Sequence, residues 1–314
     1  MSILSGHHRP FGQTGFVLPP IVFGSAALGN VERVITEQAK VAICGEWFRH
    51  VAPPVWIEVD YGHGDGMALE VLGRVLRRLE IPSRDVVIQL AMDLRLADSD
   101  PLSSAALIVE TWQKSCRLLG EEYLPDLVSI RNASGEGARS VHALKAFGAV
   151  RGCGVVAMDC ENARERVAAI NPDWVSLAGD CSIMRHPPEM RAFKVEMAER
   201  EVPIVASEVF EGGFLLGGNQ LDGRAVNSDD PANRSLLAWR KAFVALCDGH
   251  GISPAHACIQ FALAMPGVFA VRLESSYADR VGEDVRCVCE KAPENFWASM
   301  KEEGLLGADC RRVG

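Results

Sequence analysis

No apolar run in this chain approaches the roughly 18 to 20 residues of a membrane-spanning helix. The opening residues, MSILSGHHRP, contain no hydrophobic signal core, which points to a cytoplasmic protein. No basic run offsets a formal net charge of -9, so nucleic acid is not expected as a partner. No Cys-x-x-Cys occurs among the 10 cysteines. Cys287-x-Cys289 is the one close pair, and several of the others lie in apolar runs, so they read as reduced core thiols. His7-His8 lacks partners at ligand spacing, and no metal is expected. No glycine fingerprint follows the first strand, and no linker divides the chain.

What is present is an ordinary globular balance, 48% hydrophobic and 23% charged, in a chain long enough to bury a large core. The most informative stretch is Val55 to Arg74, VWIEVDYGHGDGMALEVLGR. Val55, Trp56, Ile57 and Val59 are strand formers, whereas Gly62, Gly64 and Gly66 interrupt regular structure. Leu69, Leu72, Val75, Leu76 and Leu79 then recur at helical spacing. Glu58, Asp60, Tyr61 and His63 therefore fall at the carboxyl end of a strand, where parallel α/β proteins place their chemistry.

Similar strand-helix units recur along the chain. Strands are expected at 21–24, 55–59, 86–91, 127–130, 154–158, 174–178, 203–206 and 268–273, with helices between them. A short hairpin precedes the first strand, and a glycine- and aspartate-rich loop, 208–233, follows the seventh. Eight such units make a single (β/α)8 TIM barrel over residues 1–314 the expected architecture, ahead of a doubly wound open sheet.

The wording of these segments resembles the aldo-keto reductase family. Phe11 to Gly15 (FGQTG) is similar to its opening hairpin, and Phe23 to Asn30 (FGSAALGN) to its first strand and loop. Pro172 to Gly179 (PDWVSLAG), Val209 to Leu216 (VFEGGFLL) and Phe296 to Leu305 (FWASMKEEGL) resemble the branch of aldose, fucose and pyridoxal dehydrogenases. The resemblance implies a barrel that binds NAD or NADP across the carboxyl ends of its strands and acts on a small-molecule substrate.

It also implies a catalytic set of aspartate, tyrosine, lysine and histidine, with tyrosine donating the proton. An ungapped count back from Leu72-Gly73 puts Glu58 at the aspartate and His63 at the tyrosine. A gapped alignment puts Tyr61 there instead, and both assignments stay open. Ala91 falls at the lysine and Arg131 at the histidine. Arginine can bind an oxyanion but does not titrate as an acid. Glu58 is expected to orient His63 and raise its pKa, and Arg131 to polarise the substrate oxygen.

For the cofactor, Val156-Ala157 stands where the family has a carboxamide-binding Ser-Asn. Arg280-x-x-Glu283-Asp284 resembles the adenosine clasp, with Ser275 and Ser276 before that helix suited to a phosphate. Glu274 favours a ribose hydroxyl over a phosphate, so NAD is slightly preferred. The expected function is an NAD(P)-dependent oxidoreductase of a small carbonyl, hydroxyl or sugar-like compound with a non-standard site. Non-redox acid–base chemistry by the same residues is a second possibility. The main alternative is an inactive barrel that binds a ligand or protein.

Overall fold

A computed structural model describes residues 4–94, 101–132, 139–221 and 223–307. Eight parallel strands close into a barrel. They are β1 (Ile21–Gly24), β2 (Val55–Asp60), β3 (Val86–Asp93), β4 (Leu127–Arg131), β5 (Gly152–Ala157), β6 (Trp174–Leu177), β7 (Ile204–Ala206) and β8 (Val268–Leu273). Each strand pairs with its neighbours in chain order, and β8 closes the ring by pairing with both β7 and β1. The expected (β/α)8 architecture is what forms. Strand ends moved by one or two residues from the sequence reading; β3, for example, runs on to Asp93.

Side chains alternate across each strand, so every second residue enters the barrel. Along β2 the inward series is Trp56, Glu58, Asp60, and along β3 it is Val87, Gln89, Ala91, Asp93. The floor is apolar: Val22, Trp56, Val87, Leu127, Trp174, Val205 and Phe269 form one cluster with Phe11. Phe11 lies in the hairpin Arg9–Pro10/Val17–Leu18, its ring centroid 4.6 Å from Trp56 and 4.9 Å from Phe269. The amino end of the barrel is thereby plugged. At Gly154 a Cβ would overlap the Trp174 indole, so glycine is what admits that large ring.

The outward residues of β2, Val55, Ile57 and Val59, join the main core with Leu69, Leu72, Val75 and Leu76 of the helix Met67–Arg78. Gly73 in that helix lies against the Leu119 carbonyl, which ends the helix Pro101–Leu119. The helix Glu37–His50 starts where expected, with the Thr36 hydroxyl accepting from the Ala39 amide. The long segment after β7 carries a 3-10 turn, Phe214–Leu216, and a two-residue ribbon, Gln220–Leu221 with Arg224–Ala225. It packs over a second core that includes Phe214, Phe243, Phe261, Phe296 and Trp297. No described helix is long and apolar enough to cross a membrane.

Candidate active site

Above the apolar floor the inward residues turn polar. Glu58 and Gln89 are in register across β2 and β3, and the Gln89 amide donates to Glu58 at 2.5 Å and to Ser129 at 3.1 Å. The other Glu58 oxygen takes an ion pair from Arg272 of β8, Nε to Oε1 at 2.5 Å. Arg272 also pairs with Glu274. One step nearer the mouth, Asp60 pairs with Arg131. Asp60 and Ala91 are neighbours in register, so β3 presents only a methyl group at that level.

His63 follows in the loop after β2. Its Nδ1 shares a 3.0 Å hydrogen bond with the Ser25 hydroxyl, and its Nε2 lies 3.9 Å from Asp60. Ser25 also accepts from the Asp60 amide at 3.2 Å, and its second lone pair can accept Nδ1–H, the tautomer that leaves Nε2 able to take a proton. Gly62 N–H donates to Asp60 at 2.8 Å. Gly29 fits against the His63 backbone only because it lacks a Cβ, which would sit 2.8 Å from it.

A cavity of about 700 Å³ opens over this layer at the carboxyl ends of the strands. Glu58, Asp60, His63, Ala91, Arg131 and Arg272 all line it. Glu58, His63 and Arg131 therefore border one space. Tyr61 is not among its lining residues; it is one residue out of phase with Asp60 and packs partly against the main core. The pairing differs from the sequence reading: Glu58 answers to Arg272, and the carboxylate beside Arg131 and His63 is Asp60. Burial lowers the His63 pKa below its ordinary 6.5, against the raising influence of Glu274 and Glu58 and with the lowering influence of Arg272. The expected upward shift is thus reversed, because desolvation outweighs the carboxylates.

A second cavity of about 590 Å³ adjoins the first and shares Glu32, Glu208, Gly212, Arg272 and Glu274 with it. Ser275, Ser276, Arg280 and Asp284 line this outer cavity, whereas Glu283 does not, and reaches Arg280 at 3.8 Å. The Ser275 hydroxyl donates to the Tyr277 carbonyl and accepts from its amide, so it serves the turn. Helix Ala278–Cys289 begins there without a side-chain cap, which leaves first-turn amides for an anion. Asp284 is buried, and burial pushes its carboxyl up to about 6 despite Arg280. On the far side of the mouth, Ser176 lines the first cavity with a buried hydroxyl that has no partner among the described residues.

The loop after β7 is tied to the loop after β6 by Glu211, which pairs with Arg185 at 2.9 Å and accepts from Ser182. Both Glu208 and Glu211 have left-handed backbone, at φ 55° and 54°. Non-glycine residues hold that conformation only when their surroundings enforce it.

The aldo/keto reductase family model matches residues 20–302. The chain belongs to the aldo/keto reductase family. Pyridoxal 4-dehydrogenase from Microbacterium luteolum is 24% identical over 172 residues, covering 55% of this chain and 49% of that protein. The chain thus spans about half the length of that curated relative. Among solved structures, the holo form of an aldo-keto reductase from Bacillus halodurans superposes with a TM-score of 0.73 at 18% identity, over 96% of each chain. Glycerol dehydrogenase from Gluconobacter oxydans gives 0.70 at 17% identity, over 94% of each chain. An aldo-keto reductase from Klebsiella pneumoniae in complex with NADPH gives 0.67 at 17%, over 96% of this chain and 97% of that one. At these identities the likeness is one of fold. Sequence reasoning missed Ser25 and Arg272, and also the pairing of Asp60 with Arg131 and of Glu274, read there only for the cofactor ribose, with Arg272. The period-2 alternation from Glu58 to Asp60 was the one signal that both point inward.

Proposed function

We propose that this chain, as one barrel domain, is an NAD(P)-dependent oxidoreductase of a small carbonyl, hydroxyl or sugar-like substrate, with proton exchange at His63. The observation that carries the reading is His63 itself: its imidazole borders the cavity and is held by Ser25 at 3.0 Å, while Tyr61 is outside the lining.

The residues present fit a nicotinamide dinucleotide in two places. Ser276, Arg280 and the uncapped helix start at Ala278 would hold the adenosine and phosphate part. The unpartnered Ser176 hydroxyl offers a hydrogen bond at the deep end, where Val156 and Ala157 have none to give. When bound, such a cofactor supplies or accepts the hydride. His63 gives or takes the proton at the substrate oxygen, with Ser25 and Asp60 fixing its ring. Arg131, anchored by Asp60, presents a permanent cation to the same oxygen. The outer cavity carries Glu32, Glu208, Glu274 and Asp284 against Arg33, Arg272 and Arg280, which disfavours a 2′-phosphate and supports NAD over NADP.

One observation favours a second reading, a non-catalytic barrel that binds a ligand or protein. Three carboxylates, Glu32, Glu208 and Glu274, stand at the junction of the cavities beside a single guanidinium, and they repel a pyrophosphate. Titration with NADH and NADPH, followed by nicotinamide fluorescence, separates the two. Saturable binding supports the oxidoreductase; no binding at millimolar cofactor leaves the binding-protein reading.

A further inference from the structure

β3 brings no cation to the level of Asp60, since Ala91 stands there. A buried cation nevertheless reaches the mouth, from the other side of β2. Arg272 lies on β8, in register with Val22 of β1, while Gly24 of β1 is in register with Glu58 of β2. The Arg272 side chain therefore spans β1 to reach Glu58. Gly24 makes this possible: a Cβ there would overlap the Glu274 side chain, which lies over it and holds the guanidinium from the other side. The side chains of Arg272 and Glu58 are only 13% and 7% exposed, so the charges act through little water. Among the described residues, Arg272 is also the one cation that lines both cavities.

We propose that Arg272 is a positioning residue of this site, a fixed cation delivered from β8 that holds Glu58 and Glu274 in place at the cavity mouth that His63 borders. The inference rests on the oxidoreductase reading for its purpose. The groups around His63 come from every neighbouring element: Ser25 from the loop after β1, Glu58 and Asp60 from β2, Arg131 behind Asp60 from β4, and Arg272 and Glu274 from the end of β8. Burial and Arg272 disfavour the imidazolium, whereas Glu274 and Glu58 favour it. An arginine suits the task because it stays protonated under any condition in which the chain is folded. An imidazole kept neutral in this way accepts a proton from an alcohol, so the site is set for oxidation of a hydroxyl.

The test uses the cofactor-free chain. The His63 ring signals are followed by NMR against pH and assigned by their loss in His63→Phe. In Arg272→Met the midpoint moves up, because Glu274 and Glu58 then face His63 without their counter-charge. Arg272→Lys brings it back toward the wild type. Should the single methionine variant fail to fold around an uncompensated Glu58, Glu58→Gln/Arg272→Met removes the pair together. Compared with Glu58→Gln alone, that double variant loses only Arg272, so its midpoint lies higher than that of the single glutamine variant. A folded methionine variant with an unmoved or lowered midpoint overturns the proposal, as does a lysine variant that restores nothing. If the wild type binds neither NADH nor NADPH, the oxidoreductase reading falls while the titration still decides the role of Arg272.

Discussion

Asp60 pairs with Arg131 across the barrel mouth, and its immediate neighbour on β3 is Ala91. That relationship sets the chemistry available. A tyrosine needs a nearby cation to titrate near neutrality, and here Arg131 is committed to Asp60 and Arg272 to Glu58 and Glu274. A histidine needs no such help.

The first prediction concerns that choice. His63→Phe is expected to lower turnover of an active substrate by about 10²- to 10⁴-fold, the usual worth of a positioned acid or base. Tyr61→Phe should keep most of the activity. Steady-state rates for both variants decide it, and the opposite pattern would put the gapped alignment back in place.

The second is a pH dependence. Burial lowers the His63 pKa, so the imidazolium is a minor species at neutral pH. Carbonyl reduction, which uses the protonated ring, should rise as pH falls through a midpoint below 6.5. Alcohol oxidation, which uses the neutral ring, should fall with pH over the same range. Rate profiles in the two directions check the sign, and a reduction limb centred above pH 7 would refute it.

The third concerns cofactor choice. NADH should bind more tightly than NADPH, because a 2′-phosphate entering the outer cavity meets Glu32, Glu208, Glu274 and Asp284. Raising the ionic strength should narrow the gap. A tighter NADPH complex at low salt would contradict the charge argument.

The fourth links the outer cavity to stability. The Asp284 carboxyl is raised from 3.8 to about 6, so the folded chain holds that proton more tightly than the unfolded one. Its contribution is fully present below about 3.8 and is lost as pH rises through about 6. Asp284→Asn should therefore stabilise the protein at pH 8 by about 1–3 kcal/mol and do little near pH 4. Denaturant unfolding at the two pH values measures the difference.

The fifth concerns packing. Gly73→Ala would drive a methyl group into the Leu119 carbonyl, and should cost about 1–3 kcal/mol in denaturant unfolding. An unchanged midpoint would mean that the two helices separate freely.

The barrel was legible because its strands are compact apolar runs and some helix starts, such as Thr36, carry a local cap. That Glu58 and His63 would border one space was legible because both fall at the carboxyl end of the second strand. Their partners were not. Arg272 meets Glu58 only after the chain has gone round the barrel, and Ser25 meets His63 across a whole β/α unit, 38 residues apart, and no local pattern encodes either contact. Glu58 does push the His63 pKa up as expected, but burial outweighs it and the net shift is downward. Proximity in sequence was legible, but the depth of burial was not.

The plugged floor has a consequence for traffic. With Phe11 seated among Trp56, Trp174 and Phe269, nothing crosses the barrel from its amino end. Any ligand of the barrel interior enters and leaves at the carboxyl ends of the strands. Whatever lies deepest must arrive first and leave last, so exchange at this site is expected to be ordered.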